Sequence, residues 1–119
     1  MAPTPCGAGL AGAQRLDGVR YQLAYVPQPA TLAVGRDFAL DFQVCAKDGA
    51  VPLPDQIRVD ARMPDHGHGM SYRTSVKAQG PGRWRAEGLL LHMAGRWELS
   101  FELGSGPQAE RLVRELQLK

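Results

Sequence analysis

At 119 residues the chain has room for one domain, long enough to bury a core and too short to carry a second. Hydrophobic residues at 44% and charged ones at 22% are ordinary for a globular protein, which argues against disorder and against a membrane-embedded class. The fourteen Lys and Arg leave a net charge of only +2 and are dispersed among acids, so the basic stripe of a nucleic-acid binder is missing.

From the N-terminus, residues 1–16 are rich in Gly, Ala and Pro and read as a flexible leader of the kind that follows a removed signal peptide, with residues 17–119 as the single domain. No apolar run approaches the ~20 residues of a spanning helix, so no membrane span is expected. Cys6 and Cys45 lie far apart with no CxxC or Cys/His neighbour, which removes metal-ligand and redox spacings. They are expected to form a disulfide, favouring an oxidising compartment such as a bacterial periplasm; two free structural thiols are the alternative.

Apolar residues then alternate with period two, the signature of half-buried strands. "VRYQLAYVP" aligns Val19, Tyr21, Leu23 and Tyr25; "FALDFQVC" aligns Phe38, Leu40, Phe42 and Val44; "QIRVDARM" aligns Ile57, Val59, Ala61 and Met63. "SYRTSVKA", "RWRAEGLLLHM" and "RWELSFEL" continue the rhythm, with Trp97, Leu99, Phe101 and Leu103 as the strongest inward row and Trp84 also assigned to the core. "ERLVRELQL" reads as a final edge strand, a short amphipathic helix being the alternative. Turn signals rich in Gly, Pro and Asp separate the segments. The expected fold is all-β, an immunoglobulin-like two-sheet β-sandwich of about seven strands.

Chemistry concentrates in "MPDHGHGM", residues 63–70, which leaves the "QIRVDARM" strand as a loop. If residues 66–70 are locally extended, His66, His68 and Met70 share one side. His92 and Met93 follow in "LHMAGRW", at the end of a strand that a sandwich could bring to the same rim. All three histidines and three of the four methionines thus fall in two short segments. Imidazole with thioether suits copper, with Cu(I) favoured by sulfur and Cu(II) acceptable to imidazole. Zinc takes Cys, His and carboxylate and has no use for methionine, so Asp65 is the only residue of the turn that favours it over copper.

Blander readings stand beside these. His66 and His68 could be a polar surface turn, and Met63 continues an apolar row, so it is as well explained by packing as by ligation. His92 and Met93 alternate to opposite sides of a strand; of the two, His92 is the preferred ligand.

The "MPDHGHGM" turn, together with "GRWRAEGLLLHMAGRWELSFEL", resembles the YtkA-like family, relatives of FixH-type proteins, across residues 17–103. The resemblance implies a small exported or membrane-tethered bacterial β-sandwich associated with copper handling. It marks Met63, His66, His68 and Met70 as one motif and Met93, Gly95 and Trp97 as a second.

The expected function is that of a periplasmic copper chaperone or buffer, not an enzyme, whose partners are the copper ion and a protein that donates or accepts it. A blue-copper electron carrier would need a Cys thiolate beside two His, and Cys45 stands alone. No nucleophile elbow, carboxylate pair or phosphate loop suggests catalysis. An immunoglobulin-like interaction module with an incidental histidine loop is the remaining alternative.

Overall fold

The computed structural model describes residues 5–70 and 73–119, with the His68 side chain left aside. Among these residues the chain forms nine strands and one short 3-10 turn, Gly106–Gln108. The strands are β1 (Gln14–Asp17), β2 (Tyr21–Gln28), β3 (Asp37–Ala46), β4 (Ile57–Met63), β5 (His68–Gly69), β6 (Ser75–Gly80), β7 (Arg83–Leu90), β8 (Gly95–Leu103) and β9 (Glu110–Leu118). Seven of them have six or more residues, which matches the number of alternating segments in the sequence.

The strands pair antiparallel into two sheets, ordered β1-β2-β3-β7-β6 and β5-β4-β8-β9. Setting β1 aside, this is the A-B-E-D and C′-C-F-G arrangement of the immunoglobulin sandwich. The "ERLVRELQL" segment is the edge strand β9, paired with β8 from Gly95↔Leu118 to Leu103↔Glu110.

The inward rows meet between the sheets. Ile57, Val59, Ala61 and Met63 from β4, and Trp97, Leu99, Phe101 and Leu103 from β8, are buried against Leu23, Leu40, Phe42 and Val44 of the facing sheet. The ring of Phe101 bridges the layers, with centroids 5.3 Å from Phe42 and 5.6 Å from Tyr25. Such rows supply the main stabilising term, about 25 cal/mol per Å² of apolar surface removed from water. Val19, by contrast, precedes β2 and is exposed, and Trp84 is only half-buried.

The leader is tied to this frame. Cys6 and Cys45 are bonded, with Cα atoms 6.0 Å apart. Gly7 N–H donates to Gln43 Oε1 at 2.9 Å, and Arg15 Nε donates to the Cys6 carbonyl at 3.0 Å. Residues 14–17 then pair with β2, from Gln14↔Tyr25 to Asp17↔Gln22. The boundary expected at residue 17 therefore falls inside β1, because backbone pairing and the cross-link both begin upstream of it.

One irregularity redirects a candidate ligand. Between the pairs Leu40↔Ala86 and Phe38↔Leu89 the register shifts, so Glu87 and Gly88 together oppose Ala39. This is a β-bulge, and the extra residue inverts the alternation downstream. Ala86 faces the core, but Leu89 and Leu91 are the next buried residues, not Gly88 and Leu90. His92 is consequently exposed, while Met93 is half-buried and packs against the core.

Candidate metal site at one rim of the sandwich

Antiparallel pairing of β4 with β8, from Ile57↔Leu103 to Arg62↔Glu98, brings the end of β4 and the start of β8 to the same rim. The two histidine- and methionine-bearing segments leave from there. After Met63 the chain reverses through Pro64, Asp65, His66 and Gly67, then returns as β5, with Met63↔His68 and Arg62↔Gly69 paired. His66 N–H donates to the Met63 carbonyl at 3.2 Å, and Gly67 sits at φ +68°, where glycine closes a four-residue hairpin loop without strain.

This geometry corrects one expectation. Residues 66–70 are not a single extended run, because His66 lies in the turn and only His68 and Gly69 form strand. The continued pairing is marked by Met70 N–H donating to the Ala61 carbonyl at 3.3 Å. His66 is exposed and Met70 is half-buried, packed against the core. His68 holds the position opposite Met63 in the ladder.

Met63 belongs to the core, with 1% of its surface exposed. Its terminal methyl lies against Gly95 so closely that a Cβ built there would stand 2.6 Å from it. Thus β8 carries a residue without a side chain where the methionine of β4 must fit. Two residues further, Trp97 is fully buried and its indole Nε1–H donates to the Met93 carbonyl at 3.0 Å. The His92 ring meets the Trp97 ring edge to face at 5.4 Å between centroids. Met63 with Gly95 joins the two segments at one end of the sandwich, and Trp97 packs the second segment onto itself through His92 and Met93.

A second link between the segments spans the rim on the outside. Arg96 donates to Asp65 through Nη2 to Oδ1 at 2.8 Å and through Nε to Oδ2 at 3.2 Å. The guanidinium holds the Asp65 carboxyl below its ordinary value of 3.8, and the nearby charge of His66 adds in the same direction. Arg96 lies inside the "MAGRW" segment, but its role escapes a reading by alternation, because its partner is a turn residue 31 positions away.

The donors placed here are imidazole and thioether, a set that fits a soft ion such as Cu(I). Among the described residues, no three of His, Cys, Asp and Glu come together as a metal cluster.

The model of the YtkA-like family matches residues 13–102. The chain belongs to the YtkA-like family. No curated protein matches it in sequence. Among solved structures, this YtkA-like chain is similar to a copper-bound variant of FetP from a uropathogenic Escherichia coli strain, with 12% identity, a TM-score of 0.53, and coverage of 86% of this chain and 93% of FetP. At that identity the likeness establishes the sandwich fold. The family match starts one residue before β1 and ends within β8, so it contains both halves of the rim.

Proposed function

We propose that this YtkA-like protein is an exported copper carrier that holds Cu(I) at the rim through His66, His68 and the Met70 thioether. The reading rests on one observation: the fold brings its two His/Met segments to the same end of the sandwich, where Met63 of one lies against Gly95 of the other. A carrier must bind firmly and still release, and thioether donors on a hairpin loop exchange readily with those of an acceptor protein. In this reading Met63 serves packing, and His92 and Met93 flank the donors from the facing turn.

The copper-bound state of FetP supports copper as the cargo. The disulfide supports export to an oxidising compartment, the periplasm in a bacterium, where such bonds persist. The protein partner is then one that donates or accepts copper by ligand exchange.

Anaerobic titration of Cu(I) against a chromophoric chelator, read alongside native mass spectrometry, tests the reading. The native chain takes a single ion, and the His66→Ala/His68→Ala/Met70→Ala variant, still folded by circular dichroism, takes none. Unchanged binding in that variant would move the site away from residues 63–70, and no binding by the native chain would leave the interaction-module alternative.

A further inference from the structure

Asp65 is the only acid within residues 63–70, and it stands next to His66 in the turn. Both of its oxygens are taken by the fork of Arg96, at 2.8 and 3.2 Å. Two-point pairs of this kind are more directional than a lysine contact, because the planar guanidinium matches the spacing of the two oxygens. The other acids around Arg96 are engaged as well: Glu115 by Arg96 itself at 3.6 Å, and Glu98 by Arg62 at 3.4 Å. Arginines thus occupy the carboxylates beside the turn.

The pair is exposed, with side chains of Arg96 and Asp65 retaining 34% and 57% of their accessible surface. Ion pairs in that setting contribute little to stability. Its consequence for the turn is chemical. A free carboxylate next to His66 in this turn would supply the oxygen donor that zinc takes readily, whereas imidazole with thioether alone favours a softer ion.

We propose that Arg96 sets the metal preference of the rim: by holding both oxygens of Asp65 it withholds the turn's only carboxylate, leaving donors that take Cu(I) in preference to zinc. The proposal rests on the copper-carrier reading. Arg96 acts through Asp65 and is a positioning residue, not a ligand.

The test compares the native full chain with Arg96→Gln, Arg96→Lys, Asp65→Asn and the Asp65→Asn/Arg96→Gln double variant. Zn(II) and anaerobic Cu(I) affinities are measured by chelator competition, after thermal melts of the metal-free proteins. Arg96→Gln gains about two- to fivefold in Zn(II) affinity, the most that an exposed ion pair can withhold, with Cu(I) affinity unchanged. The gain disappears in the double variant, and Arg96→Lys, which cannot fork, falls between native and Arg96→Gln. Asp65→Asn alone leaves both affinities at native values.

An unchanged Zn(II)-to-Cu(I) ratio in Arg96→Gln, or a gain that persists in the double variant, would overturn the role of Arg96. So would a loss of Cu(I) affinity in Asp65→Asn, which would make Asp65 a ligand. Failure of the native chain to take Cu(I) would instead overturn the carrier reading.

Discussion

Trp97 and Gly95 do the structural work at the rim because they sit on the same strand two residues apart, one filling space and the other leaving it. Trp97 is fully buried and satisfies its indole N–H on the Met93 carbonyl, which fixes the 91–94 connection against the core. Gly95, at φ +132°, adopts a backbone that side chains resist, and its bare Cα faces the Met63 methyl. Gly95→Ala introduces both a strained backbone and a clash with a methionine that has 1% exposure and no room to turn aside. It should cost about 1–3 kcal/mol, or roughly 4–12 °C in melting temperature for a chain of this size, as measured by thermal unfolding of the metal-free protein. Part of this was legible in advance. Met63 continues the row Ile57, Val59, Ala61, and burial follows from alternation alone. The contact with Gly95 was not legible, since it depends on which residue of another strand lies opposite, and periodicity within one strand carries no such information.

Among the elements, β4 and β8 kept the phase that their sequences suggest, because each is an unbroken strand pairing along its length. β7 did not. Its bulge at Glu87 and Gly88 shifts the inward positions by one, so the residues approaching the rim exchange sides: Leu91 is buried, His92 is exposed and Met93 packs inward. A glycine in a strand signals such a bulge without locating the residue it will skip. The hairpin between β4 and β5 is the second departure. Glycines in "DHGHGM" marked a special backbone, but they serve a tight reversal at Gly67, which separates His66 from the strand that His68 begins. The turn and β8 also meet through the Asp65 and Arg96 pair, an interaction between elements that neither sequence segment reveals by itself.

At the scale of the whole molecule, the sandwich supplies a rigid end on which two short connections present their side chains, and the disulfide fastens the leader to the opposite surface of the five-stranded sheet. Ala24, whose neighbours Leu23 and Tyr25 on β2 face the core side, is itself fully buried, and the leader lies against it at Gly7. The cross-link closes a loop with a sequence separation of 39. Loop-closure entropy for that length corresponds to about 4 kcal/mol, and measured values for such removals run from about 2 to 5 kcal/mol. The Cys6→Ser/Cys45→Ser variant should lose stability in that range by denaturant unfolding while retaining its metal stoichiometry, since the rim is built from β4, β5 and β8. A stability equal to that of the native chain would mean that the leader adds nothing to the fold. The central claim is that copper is held by imidazole and thioether together at this rim. X-ray absorption at the copper edge of the anaerobically loaded full chain tests it most directly: the account predicts a mixed shell of sulfur and nitrogen whose sulfur is lost in Met70→Leu and kept in Met63→Leu. A shell of nitrogen and oxygen alone, or sulfur that survives Met70→Leu, would contradict it.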